Sequence, residues 1–318
     1  MDDAFTTTWY EIKPDAIDNI LEANVIWAAL EDAGCRVPQE GGRFIEETIR
    51  YGKETVTAVS KGDSLGEGEP ELETVALWTW RYIAGKVQRS IFDDQINRGK
   101  SKIKSYLEPR MAAVREALVE HFDDRALGAI VTDESGKEPQ GLNDIVPPYA
   151  SRATGYYGKI ARSNSWWVPK YKAASATPET DLLDDMNNLF NTISANKIAP
   201  DLLVTGQTWF EIYQNFAVEA SQLVKEADTH LADLGYDVLR FRGKRLIWVP
   251  DADIQISSKN QMLMLSTPRI KVVYDPGMWF DMTEWKPIAK QGERLAHILC
   301  TLNMTSNELR RHGRLYET

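Results

Sequence analysis

The sequence predicts an α+β fold, and three observations carry that reading. Two strand-like segments flank a dense cluster of turn formers near the N-terminus, a long amphipathic helix follows them, and beyond it helices and strands interleave without the regular alternation of a doubly wound sheet. A chain of 318 residues with 43% hydrophobic content can bury a sizeable core.

The first 41 residues mix a helical patch, DAIDNILEANVIWAALEDA, with the breakers Gly34, Pro38 and Gly41, followed directly by Gly42, and read as an N-terminal arm with one short helix. Residues 42–89 hold RFIEETIRYGKETVTAV and ELETVALWTWRYIAGKV, both rich in β-branched and aromatic residues, around the turn KGDSLGEGEP. This predicts a long β-hairpin with arms of ~15 residues, roughly 50 Å at 3.3 Å per residue. In its second arm Leu72, Thr74, Ala76, Trp78, Trp80 and Tyr82 share one face, with Val75, Leu77 and Ile83 on the other. An isolated ribbon is marginal in water, so one with apolar groups on both faces needs a surface to lie on, from its own chain or a neighbour.

In residues 90–127, Ile96, Ile103, Leu107, Met111, Val114, Leu118 and Phe122 keep helical spacing, and Pro109 predicts a kink or a second helix start. Residues 128–264 begin as loops and short strands. They continue as a helix (PETDLLDDMNNLFNTISANK), a strand (DLLVT), a helix (TWFEIYQNFAVEASQLVKEADTHLADL) and the strands VLRF, RLIWV and QMLMLS. Residues 265–318 add RIKVVY and ERLAHILCTLNMT before a basic tail.

Forty-seven acidic residues against 37 basic ones give a formal net charge of -10, which opposes general nucleic-acid binding. The first residues lack the basic and apolar regions of a signal peptide, so none is expected, and the sequence has no apolar run long enough to cross a bilayer. Cys35 and Cys300 lie far apart in apolar contexts and read as buried thiols. No HExxH, CxxC, GxxxxGK[ST] or GxGxxG pattern is present, so no metal and no cofactor is expected.

One enzymatic pattern has to be weighed. Gly62-Asp63-Ser64-Leu65 spells the nucleophile block of a serine esterase and lipase family, and Gly141-Leu142-Asn143-Asp144 spells its second block. The third block is missing, since His121, His230, His297 and His312 each lack an aspartate three residues earlier. Ser64 is also followed by GEGEPELE and a strand instead of the helix whose amides would stabilise an oxyanion. The alternative of an esterase using Ser64 thus stands behind a non-enzymatic reading.

The order of segments, with GGRFIEETIRYGKE, ALWTWRYIAGKVQRSIFDDQINRGKSKIKSYL and GLNDIVP followed by GYYGKIARSNSWW, resembles the major capsid proteins of tailed bacteriophages, which have the Hong Kong 97 fold. The resemblance covers nearly the whole chain. It implies that residues 42–89 are an extended loop lying over a neighbouring subunit, that 90–127 carry the spine helix of a peripheral domain, that 128–264 are mainly the axial domain, and that 265–318 return to the peripheral domain. It implies a protein assembled in the host bacterial cytoplasm into hexamers and pentamers of an icosahedral virion shell. The shell would enclose double-stranded DNA without sequence-specific binding. Portal and a scaffolding protein are implied partners, decoration proteins are left open, and no membrane is involved. With so short an arm no large built-in scaffolding domain is expected, and a separate scaffolding protein and a leader already absent from this chain are both left open. Trp78 and Trp80 are expected to pack on a neighbour or on the chain's own helix, and Lys61, Asp63 and Glu67 at the hairpin tip to pair with a neighbour's helix. Some members crosslink a lysine to an asparagine; nothing around Lys53 or Lys61 identifies a partner, and no crosslink is expected.

Overall fold

A computed structural model describes the chain except residues 1–24, 55, 57, 59, 62–70, 91–112, 115, 119, 123, 129, 131–135, 195–197, 220–238 and 289–291. Two six-stranded mixed sheets organise the described residues.

The first sheet is built around one long strand, β15 (Glu293–Ser306). The remaining strands of this sheet are β1 (Arg36–Pro38), β4 (Arg81–Ser90), β12 (Ile270–Tyr274), β13 (Asp281–Met282) and β14 (Lys286–Pro287). β12, β13 and β14 pair with successive stretches of β15 from its C-terminal end backward, and β1 adds in parallel to β12. β4 pairs antiparallel with ten residues of β15, and Leu302 meets both Tyr274 and Arg81, so β12 and β4 flank β15 there. Helix α1 (Val25–Asp32) and the helical positions between 113 and 126 join this core through Trp27, whose indole donates to the Phe122 carbonyl at 2.7 Å. Part of the expected N-terminal arm is therefore core: all six residues from Val25 to Leu30 are buried.

The second sheet has the order β7 (Lys170–Ala173), β16 (Gly313–Tyr316), β11 (Gln261–Leu265), β8 (Leu202–Gly206), β10 (Lys244–Val249), β9 (Leu239–Phe241). Its side chains alternate between two hydrophobic clusters with the strand period of two. Leu202, Val204, Ile247, Val249, Leu263 and Leu265 join the cluster shared with the first sheet. Leu203, Leu246, Met262, Met264 and Leu315 face a second cluster under α3 (Pro178–Ile193) and α4 (Gln207–Glu219). α3 starts where the sequence has Pro178 at N1 and Glu179 and Asp181 in the first turn, and it buries Leu182, Met186, Leu189, Phe190 and Ile193 on one face. Two smaller helices, α2 (Leu142–Ile145) and α5 (Asp251–Ile254), lie between strands. Residues 265–318 divide between the sheets, because β15 belongs to the first and β16 to the second.

The remaining sheets are two-stranded: β2 (Ile45–Arg50) with β3 (Glu73–Trp78), and β5 (Tyr156–Tyr157) with β6 (Ile160–Ala161). The expected fifteen-residue ribbon arms differ from this finding. The ladder of β2 and β3 spans six pairs, Ile45↔Trp78 to Arg50↔Glu73, and the second arm breaks at Thr79–Trp80 before β4 enters the first sheet. The break shifts the side-chain parity by one. Even-numbered Ala76, Trp78 and Trp80 are buried before it, odd-numbered Arg81, Ile83 and Val87 after it. Tyr82, aligned with the tryptophans by simple alternation, is instead 63% exposed. The Pro109 kink lies outside the described residues.

Candidate functional site

The hairpin of β2 and β3 is held to the first sheet by a polar and aromatic foot. Glu47, its side chain 10% exposed, accepts from Thr305 Oγ1 at 3.1 Å and pairs with Lys271 Nζ at 3.2 Å. Asn303 on β15 donates to the Thr79 carbonyl at 2.9 Å, at the point where the strand breaks. Trp78 lies edge-on to Tyr157 with ring centroids 5.6 Å apart, and the Leu77 amide donates to the Gly158 carbonyl at 3.0 Å. Gly158 has φ +59, and a Cβ there would sit 2.8 Å from the Trp78 ring, so the contact needs glycine for both its conformation and its size. The Trp80 indole donates to the Gly42 carbonyl at 2.9 Å, closing the base of the hairpin.

These contacts locate the residues expected at an interface. Trp78 is 2% exposed and Trp80 9%, both packed within their own subunit. They fix where the hairpin stands. Lys61 is exposed, while Asp63 and Glu67, like Ser64, lie outside the described residues. The large apolar side chains left in water on and beside the hairpin are Val56, Val75, Tyr82 and Tyr156, at 93%, 51%, 63% and 61% exposure. Simple alternation gave Val75 its face but could not locate Tyr82, because the parity shift at Thr79–Trp80 has no signature in residue type.

The Gly141–Asp144 block is a buried structural knot. The Asp144 carboxylate accepts from the Gly141 amide at 2.9 Å, and the Asn143 side-chain amide donates to the carbonyls of Leu127 and Gly128. Two buried arginines complete it: Arg314 on β16 donates to Asn143 Oδ1 and, at 2.6 Å, to the Val146 carbonyl, and Arg162 donates to the Asp144 carbonyl. Burial lowers the Arg314 guanidinium to about 10 and also lowers that of Arg162, in the second case against the pull of Asp144. A Cβ on Gly141 would lie 2.2 Å from the Arg125 carbonyl oxygen, so this glycine is there for close approach of backbones. The knot ties Leu127, Gly128 and the segment 141–146 to β16, the strand nearest the chain's C-terminus.

One Ser–His pair occurs in the core. Ser306 Oγ and His312 Nε2 are 3.0 Å apart, and the Ser266 amide donates to His312 Nδ1 at 3.2 Å. That amide fixes the lone pair on Nδ1 and the proton on Nε2, so the ring donates to Ser306 and cannot deprotonate it. Both residues have zero exposure, and burial followed by the charge of Arg269 lowers the imidazole to about 3, keeping it neutral. His121 instead pairs with Glu138 at 3.1 Å. Cys35 and Cys300 are buried and not joined in a disulfide, and burial is the chief cause that pushes the Cys35 thiol up to about 12. Among the described residues, no three His, Cys, Asp or Glu side chains gather in a metal-binding group, and no helix is long and apolar enough to cross a membrane.

No protein-family model matches the chain, and no curated protein sequence does. Solved structures match it along most of its length. The capsid asymmetric unit of cyanophage A-1(L) aligns at a TM-score of 0.63 with 13% identity, covering 88% of this chain and 90% of that one. The capsid of the native GTA particle aligns at 0.55 with 14% identity over 92% and 90%. The capsid of Myoviridae phage XM1 aligns at 0.56 with 10% identity over 88% and 87%. At such identities the backbone path carries the likeness: the chain has the Hong Kong 97-type fold of tailed-phage capsid proteins.

Proposed function

We propose that this chain is the major capsid protein of a tailed bacteriophage, a structural protein that assembles with copies of itself into hexamers and pentamers of an icosahedral shell around double-stranded DNA. The observation that carries the proposal is the whole-chain fold match, which covers 87–92% of both partners in the three alignments and leaves little of the chain for a separate catalytic unit. In this reading the first sheet and the helix through residues 113–126 form the peripheral domain, and the second sheet with α3 and α4 forms the axial domain. The hairpin of β2 and β3 is the extended loop.

The hairpin supports the reading physically. A two-stranded ladder of six pairs cannot cover its own apolar groups: Val75 on it stands in water, as do Val56 beyond the end of β2 and Tyr82 beyond the end of β3. A neighbouring subunit lying on them removes that exposure. Each such contact is modest, and its repetition over a closed lattice makes the shell strong. Trp78, Trp80 and Glu47 then act one step back, setting the angle at which the hairpin meets its neighbour. Portal, scaffolding and decoration proteins belong to the same reading as partners of the assembled shell.

Electron microscopy of the purified full chain tests this. Shells, capsomers or tubes are expected, and Val75→Glu or Tyr82→Glu should leave a folded subunit that no longer assembles. A wild-type chain that stays monomeric in every condition, with or without a scaffold, refutes the proposal.

A further inference from the structure

A second surface lies where β2 leaves the body. Thr48, Arg50 and the residues up to Glu54 form one wall of a cleft of about 440 Å³, and Arg269 and the turn from Asn307 to Arg310 form the other. Four cationic side chains, Arg50, Lys53, Arg269 and Arg310, line it against two carboxylates, Glu54 and Glu308, in a chain whose net charge is -10.

Glu308 is already committed. Its carboxylate takes the Nε of Arg310 at 2.7 Å, of Arg311 at 3.0 Å and of Arg269 at 3.5 Å. Burial would raise this acid, but the Arg310 hydrogen bond and the three arginine charges outweigh it and hold the group below its ordinary value. Glu308 therefore stays ionised and orients the arginines through their Nε atoms. The Nη groups of Arg269 and Arg310 have no acceptor among the described residues, and neither Arg50 nor Lys53 makes an ion pair there. The backbone amide of Gly52 is used up in pairing with Leu72, and the Tyr51 hydroxyl binds Glu71, so the charged donors left to a ligand are the cationic side chains.

From this arrangement we infer that the cleft binds a multiply charged phosphate-type oxyanion, bridging Arg50 and Lys53 on the hairpin to Arg269 and Arg310 on the body. Guanidinium forks match tetrahedral oxyanions in pairs of hydrogen bonds, while a lysine adds a mobile point charge. The four cations exceed the two carboxylates by two charges, so a single carboxylate would balance only half of the surplus. Because one wall is the hairpin and the other is made of turns of the body, at Arg269 and at 307–310, a bound anion ties the outgoing end of β2 to the turn before β16 and stiffens the hairpin's angle. The shared chemistry is the phosphate group, whether of a free oligophosphate or of a nucleic-acid backbone.

The test titrates the full chain calorimetrically with inorganic tripolyphosphate at fixed ionic strength, since charge screening would otherwise mimic an effect. Saturable one-to-one binding is expected. Arg50→Gln should weaken it at least tenfold, Lys53→Gln severalfold, and the pair should abolish it. Both side chains are exposed and without ion pairs among the described residues, so these variants keep the fold, which circular dichroism verifies. Tripolyphosphate should also slow amide exchange over residues 50–54 in the wild type and not in the double variant. A short DNA duplex that displaces tripolyphosphate, with the same loss in the variants, assigns the site to nucleic-acid phosphates; a duplex that fails to displace it assigns the site to free oligophosphates. Absence of binding to the wild type, or equal affinity in wild type and double variant, overturns the inference. The measurement uses unassembled subunits, so a failure to form shells does not affect it.

Discussion

Replacing Gly158 with alanine perturbs the hairpin foot through two separable costs. Its φ of +59 is a left-handed conformation that costs an L-residue roughly 1–2 kcal/mol. The added methyl would also lie 2.8 Å from two atoms of the Trp78 ring, and that ring is 2% exposed and boxed by Tyr157, so it cannot swing away. Overpacking of that kind costs about 1–3 kcal/mol. Gly243→Ala is the internal control: it has φ +75 and nothing within 4 Å, so it should show the conformational cost alone. Denaturant unfolding of the unassembled subunit should therefore show Gly158→Ala to be the more destabilising by about 1–3 kcal/mol. Trp78→Phe, which vacates the space of the larger ring, should recover part of the loss when combined with Gly158→Ala, a coupling that additive effects would not give. Hydrogen exchange should place the loosening at residues 74–78. Equal losses at Gly158 and Gly243, with no coupling to position 78, would show that the foot is not packed as described.

Other expectations follow from the core and from the esterase pattern. His312 is neutral in the fold at about 3 but titrates near 6.5 when unfolded, so the unfolded chain binds the extra proton between those values. Stability is then fully present above pH ~6.5 and falls as pH drops, by up to about 1.4 kcal/mol per unit. Comparing wild type with His312→Gln between pH 5 and 7, above the carboxylate range, should show that slope lost in the variant, and parallel profiles would contradict it. Arg314→Met leaves Asn143 Oδ1 and the Val146 carbonyl without their buried donor and should cost ~3 kcal/mol or more in chemical unfolding; a loss below about 1 kcal/mol would mean the knot is incidental. The purified chain should hydrolyse p-nitrophenyl acetate no faster than Ser64→Ala, and a rate that vanishes in the variant would revive the esterase. Boiled in detergent, assembled particles should run as monomers on a gel; a ladder of covalent oligomers would reveal a crosslink.

Several elements were legible because their chemistry is local. Pro178 with Glu179 and Asp181 announces α3, and the apolar spacing to Ile193 fixes its buried face. The β-branched runs announce β8, β10 and β12, the apolar run of Met and Leu announces β11, and the long apolar stretch before the basic tail announces β15. The candidate interface was legible only in outline. Trp78 and Trp80 are the most conspicuous apolar residues of their segment, and bulk alone does not say whether a side chain faces its own body or a neighbour. Arg50 was passed over for a related reason: its significance comes from Arg269 and Arg310, more than two hundred residues further along the chain.

By itself the sequence determined the α+β class, the presence and order of most strands and helices, and the absence of the Asp-x-x-His block that accompanies the serine motif in esterases. Periodicity, turn formers and motif spacing are properties of neighbouring residues, so a single chain displays them. Only the tertiary structure decided that the ribbon's second arm splits between two sheets, that Gly141–Asp144 is a knot locked by Arg162 and Arg314, and that β16 leaves the sheet of β15 for the other one. Those outcomes rest on pairings between segments separated by up to about 220 residues, where a one-residue shift of register exchanges the buried and exposed faces of a strand.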